Sequence, residues 1–379
     1  MKTPRAPRSR RSRRSRCLLL PVAIVVTPAL ACQGGEGGTD GGETVDRSAV
    51  FKQLGEQVIE PTLAELPARL EPLRAAAASF CERRDALTLA DAQRAWRDAR
   101  APWSRAEAFQ FGPVAELGVA SAIDFWPARP EDIEDALTLH DQLDAAVIDT
   151  LGATRKGFPV IEYLLFDDPD ADPDPLARYP ADAAGDLRCQ YLEALTVDLH
   201  ARAAALHGEW TGGYTEGLVT AGAGSEYFPK EQDAVDALVN ALVSSLTAAA
   251  RGKLEKPLTG ETTSESRFSD NARADLRANL EGVAALYEGA YDGADASTPG
   301  LHTLVRFVDP ALDERVREQL AKTRAAVDAL ELPLRVAVVD DPDAALALHA
   351  EVDALRLLFK LEVVSALSVT LSLTDNDGD

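Results

Sequence analysis

From Ser48 onward apolar residues recur every three or four positions, and no stretch sustains strict apolar–polar alternation. That spacing is the period of one helical face, whereas a half-buried strand repeats every two residues. The chain therefore predicts an all-α fold. Leu54, Val58, Leu63, Leu66, Leu70 and Leu73 mark a first stripe, which Pro61, Pro67 and Pro72 should bend into two pieces ending near Cys81. Thr88, with Asp91 three residues on, predicts the start of a second helix. On it Trp96, Arg100, Trp103 and Glu107 share one face; Pro102 should kink it, and Phe109 to Pro113 should end it. Residues 114–129, around Ile123-Asp124-Phe125-Trp126-Pro127, read as irregular. One helix is expected from Pro130 through Leu151 and another from Leu187 to Trp210.

The glycine-rich stretch 211–228 predicts a boundary between two helical-bundle domains, 48–215 and 225–374. In the second, helices are expected from Pro229, from Ser269 or Asp270, from about Pro310 to Leu330, and from Pro342 to Leu373. The last is apolar nearly all round late in its course, which predicts a central, buried helix.

The first residues follow a different pattern. Eight cationic side chains (Lys2, Arg5, Arg8, Arg10, Arg11, Arg13, Arg14 and Arg16) precede an apolar run, Cys17 to Val26, too short to span a bilayer. Residues 1–31 therefore read as a signal peptide. Small residues before Cys32 resemble a bacterial lipoprotein cleavage site; the other reading is an ordinary secretory signal cut near Ala31. Residues 32–47 then form a flexible, acidic tether that would hold the folded body just off a membrane, and Gln33 rather than Asp after the cysteine points to the outer membrane facing the periplasm. Losing the signal's charges takes the formal net charge from −23 to about −31, a surface that repels nucleic acid and suits cations or basic partners. In an exported chain Cys81 and Cys189 could pair, and the sequence leaves this open.

One segment joins a carboxylate to an apolar run: Gly157-Phe158-Pro159-Val160-Ile161-Glu162-Tyr163-Leu164-Leu165-Phe166. Pro159 belongs in a first helical turn. A carboxylate in such company must find a cation, hydrogen-bond donors or a proton. The segment resembles the Gly-x-His-x-x-Glu signature of the imelysin-like proteins, with Gly157 and Glu162 in place and Pro159 where the pattern has His. Further segments resemble the same family: Ala95 to Trp103 with Glu107 to Val114, Ile123 to Pro127, Glu265 to Asn271, and the ending Val369 to Asp379. The resemblance implies two helical bundles with a site between them, export or lipid anchoring, and a link to bacterial iron uptake; it also brings a peptidase label.

Glu162 is the first site candidate, as a cation ligand or as half of a structural pair with an arginine. Arg100 and Glu107, between Trp96 and Trp103, read as a charged pair, and Arg100 is expected to touch Glu162. With Glu107, Asp124 and Glu362, Glu162 could build an oxygen-rich site for iron or another hard cation. Glu265 and Ser266 precede a helix and fit capping or the binding of an anion. His140, His200, His207, His302 and His349 lack metal-ligand spacing, and no His-Glu-x-x-His or Gly-x-Ser-x-Gly segment occurs. The favoured function is a non-enzymatic envelope lipoprotein that binds iron or another cation and works with uptake or envelope proteins. The alternatives are a metallopeptidase and a scaffold that has lost its metal.

Overall fold

A computed structural model describes residues 45–166, 174–292, 294–295 and 297–372. The signal peptide, Cys32, most of the tether, part of the acidic loop after Phe166 and the last seven residues lie outside the described residues. Among the described residues every regular element is helical.

The chain opens with α1 (Arg47–Leu54), a π turn (Gly55–Ile59) and α2 (Glu60–Arg83). Pro61 has no N–H to complete an α-helical ladder, and the widened turn just before it absorbs that loss. Pro67 and Pro72 sit inside an unbroken α2. Helix α3 (Ala86–Ala106) starts earlier than expected, because Asp85 rather than Thr88 is its cap: Asp85 Oδ1 accepts from both the backbone N–H and the hydroxyl of Thr88. Pro102 is accommodated within it.

Residues 113–151 are more broken than their apolar spacing implies. Short helices span Pro113–Glu116 and Val119–Ile123, and the helix from Pro130 stops at Leu139. Asp144 takes the N–H groups of Ala146 and Val147 and restarts the chain as a separate turn, Ala145–Thr150. Then follow α4 (Phe158–Leu165), α5 (Ala183–Glu209), α6 (Glu231–Thr247), α7 (Ala272–Glu288), α8 (Pro310–Ala329) and α9 (Pro342–Leu357). Helix α6 runs on through a π segment, Ala248–Glu255, to Thr259.

The residues from Val45 on share one continuous apolar core. The portion before the 211–228 stretch and the portion after it meet where α7 crosses α3. Gly282 makes the crossing close: a Cβ there would stand 2.2 Å from the Arg105 carbonyl oxygen. Cys81 on α2 and Cys189 on α5 are joined by a disulfide, with Cα atoms 5.4 Å apart. The C-terminal helix is not central. Its buried positions, among them Leu348, Val352, Leu355, Phe359 and Val363, form one face, while Leu346, Leu357 and Leu361 lie open to solvent. Overall hydrophobicity misled here, because many of its apolar residues belong to an uncovered side.

Candidate functional site

The α3 face predicted from spacing points into the crossing. Trp96 Nε1 donates to the Phe158 carbonyl at 3.1 Å, and Trp103 Nε1 donates to Asp124 Oδ2 at 2.8 Å. Between them Arg100 is 1 % exposed. Its guanidinium meets Asp124 Oδ2 at 2.5 Å, Glu265 Oε1 at 2.8 Å and Asp275 Oδ1 at 3.4 Å, and it lies 5.4 Å from the centre of the Phe158 ring. Burial works against the charge on Arg100, but the surrounding carboxylates, Asp124 foremost, outweigh it. Arg100 therefore pairs with neither Glu162 nor Glu107, the partners expected of it. A fork of donors at the helix crossing reaches the carboxylates of three other segments.

Glu162 is anchored differently. Its Oε1 accepts from the backbone N–H groups of Phe268 and Ser269, at 3.1 and 2.8 Å, and from the Ser269 hydroxyl at 2.7 Å. Burial, only partly offset by Ser269, pushes its pKa up to about 7. The Glu265–Asn271 loop is shaped for this work: Ser266 and Asp270 hold left-handed backbone angles, φ +47° and +57°, unusual for residues with a Cβ. Ser266 Oγ and Asn271 Nδ2 in turn donate to Asp275, at 2.5 and 2.8 Å. Gly157 seats the other side. At φ +83° its backbone comes so close to Ile123 that a Cβ would lie 2.3 Å from that carbonyl oxygen. The glycine thus clamps the start of α4 onto the segment bearing Asp124.

The remaining charge comes from α6's π segment. Lys253 Nζ donates to Glu107 Oε2 at 2.6 Å and Asn279 Oδ1 at 2.9 Å, and stands 3.1 Å from Glu265 Oε2. Burial disfavours its charge, and Glu107 and Glu265 more than restore it. Two cations, Arg100 and Lys253, thus face four carboxylates: Glu107, Asp124, Glu265 and Asp275. Burial raises the pKa of Glu265 despite both cations. One oxygen each from Glu107, Asp124 and Glu265 falls within a sphere of mutual distances no greater than 4.8 Å. Glu107 Oε1 and Asp124 Oδ1 are buried and accept no hydrogen bond. Asp124's side chain is 8 % exposed. Glu107 and Asp124 thus each keep one buried oxygen without a hydrogen bond, and carboxylate oxygens are the ligand type that hard cations take. Beside the cluster a cavity of about 270 Å³ is walled by Glu65, Arg97, Asp98, Arg105, Asn271 and Asp275, among others.

The structure therefore gathers Arg100, Trp103, Glu107, Asp124 and Glu265 around one point, with Trp96, Gly157 and Ser266 buttressing it. Glu162 lies in the adjoining layer. Glu362 is exposed and grips Arg315 with both oxygens, at 2.9 and 2.6 Å, because it lies on the open side of the C-terminal helix. Lys253, Asp275 and Asn279 were missed by sequence reasoning. A signal existed: Lys253 continues the buried register of Leu246, Ala249 and Ala250, and Asp275 and Asn279 are one turn apart on a face otherwise closed by Leu276, Leu280 and Val283.

The sequence profile of the imelysin (peptidase M75) family matches residues 59–361. The chain belongs to the imelysin family. It is 29 % identical over 289 residues, 74 % of either chain, to iron-regulated protein A of Synechococcus elongatus. A crystal structure from Parabacteroides distasonis, named as an iron-regulated protein A precursor, superposes with a TM-score of 0.74 at 22 % identity, covering 86 % of this chain and 97 % of that one. An imelysin-like protein of Psychrobacter arcticus 273-4 gives 0.67 at 15 % identity, over 86 % and 96 %. These likenesses establish an imelysin-type helical fold for this chain.

Proposed function

We propose that this imelysin-family protein is a non-enzymatic cation-binding lipoprotein of the cell envelope, serving iron handling, and that its site is Glu107, Asp124 and Glu265 rather than the Glu162 helix. The carrying observation is the pair of buried, unpartnered oxygens, Glu107 Oε1 and Asp124 Oδ1, in a cluster with two more carboxylates than cations. The group is all-oxygen, a preference of hard cations over zinc or copper. Glu162, with three donors on one oxygen, serves as the strut that fixes the Glu265–Asn271 loop. The name of the Synechococcus relative supports a connection with iron.

The test is calorimetric titration with Fe²⁺ under anaerobic conditions, Mn²⁺, Ca²⁺ and Zn²⁺, on wild type, Glu107→Gln and Asp124→Asn. Binding to wild type that both variants lose is expected; heat retained by both variants, or none with any ion, overturns the reading. Anchoring at Cys32, with residues 32–47 as tether, would place the site at the outer membrane among envelope or uptake partners. Labelling with a fatty-acid analogue, abolished in Cys32→Ser, is expected; an unlabelled, freely released wild type refutes it.

A further inference from the structure

We propose that the cavity between α2, α3 and α7 is a second site, which binds a small organic acid with a carboxylate at each end. Its volume, about 270 Å³, lies just under the roughly 300 Å³ at which pockets for larger organic ligands begin. Arg97 and Arg105 stand eight positions apart on α3, about 12 Å along a helix axis. Ala101 lies midway between them, and Ala274 of α7 joins it in the wall, so the space between the two arginines is lined by methyl groups. Arg97 is held in place without an acid. Its Nη2 donates to the Ser269 carbonyl at 3.2 Å, and its guanidinium lies 4.6 Å from the centre of the Phe166 ring. Among the described residues no carboxylate forms an ion pair with it; Glu162 and Asp270 act on it only from a distance. Fixing so long a side chain costs conformational entropy, which a bound carboxylate would offset. At the other end Arg69 Nε and Arg105 Nη1 share one acid, Glu65, at 3.1 and 3.0 Å. Two guanidiniums on a single carboxylate keep most of their donors for another. The other acids of the wall leave these forks open. Asp275 is 1 % exposed and turned to Ser266, Asn271 and Arg100, and Asp98 is exposed, where water screens its charge. Because Arg97 is tied to Phe166 and Ser269, and Arg105 to Glu65, the two cationic ends stay apart. A short dicarboxylate can engage both, whereas a single inorganic anion engages one.

Binding here is read without metal, so it stands or falls apart from the cation cluster. Protein stripped over a chelating resin is titrated calorimetrically with succinate, glutarate, adipate, acetate and inorganic phosphate. At least one of the dicarboxylates is expected to bind one-to-one, on the order of tenfold or more tighter than acetate or phosphate, because two forked contacts form in place of one. Arg97→Gln removes the unpaired fork and should weaken that binding on the order of tenfold or more. Ala101→Leu alters no charge, fills the space between the arginines and should abolish it. Arg94→Gln, at an exposed α3 residue paired with Asp91, should leave it unchanged. Circular dichroism reports whether each variant folds; Arg94 and Arg97 are both exposed, so their variants decide even if Ala101→Leu does not fold. No dicarboxylate binding to wild type, phosphate or acetate bound as tightly as the dicarboxylates, binding retained by Arg97→Gln or by folded Ala101→Leu, or equal losses in Arg94→Gln and Arg97→Gln each overturn the proposal.

Discussion

Replacing Glu162 with Gln tests what kind of group the buried strut is. The carboxyl is 3 % exposed, and burial lifts its pKa from an ordinary 4.5 to about 7. A carboxylate whose folded-state pKa is raised holds its proton more tightly in the native protein than in the unfolded chain. Its contribution is therefore fully present below about pH 4.5 and is lost as pH climbs through about 7. At 1.36 kcal/mol per pH unit, that loss is about 3 kcal/mol. Gln keeps an oxygen for the N–H groups of Phe268 and Ser269 and carries no charge at any pH. The variant should match wild type near pH 4.5 and exceed it by about 3 kcal/mol at pH 8.5, which a folded body of roughly 300 residues converts into roughly 5 °C of melting temperature. The assay is thermal unfolding of both proteins at half-unit steps of pH. Parallel profiles, or a variant that falls below wild type as pH rises, would refute the claim that burial rather than hydrogen bonding governs Glu162.

Gly157→Ala should cost on the order of 3 kcal/mol, since a Cβ would meet the Ile123 carbonyl and the backbone is left-handed there; chemical denaturation checks it, and a change under 1 kcal/mol would contradict the clamp. Arg100→Met leaves four buried carboxylates with Lys253 alone and should destabilise by roughly 3–5 kcal/mol, whereas Arg315→Met, at the exposed Glu362 pair, should cost under about 1 kcal/mol. Replacing Cys81 and Cys189 together by Ser should remove roughly 2–5 kcal/mol, because the bond closes a loop of 108 residues; equal denaturation midpoints with and without reductant would refute it.

The helical period alone determined the all-α class and the α3 face with Trp96, Arg100, Trp103 and Glu107, because those follow from spacing along one element. Gly157 was also legible, as the residue that opens α4. The sequence equally marked a carboxylate, Glu162, that had to be sheltered. What it could not assign were partners. Arg100 was matched to the nearest acids of the same reading, yet it found Asp124, Glu265 and Asp275, and Glu107 went to Lys253. Those pairings reach from Arg100 to Asp275, far apart in the chain, and exist only because α7 crosses α3 at Gly282 while the π segment after α6 turns a lysine inward. Local periodicity fixes which side of a helix is wet or dry. Which charges share a dry space, and how many remain unbalanced there, is decided by how the helices cross.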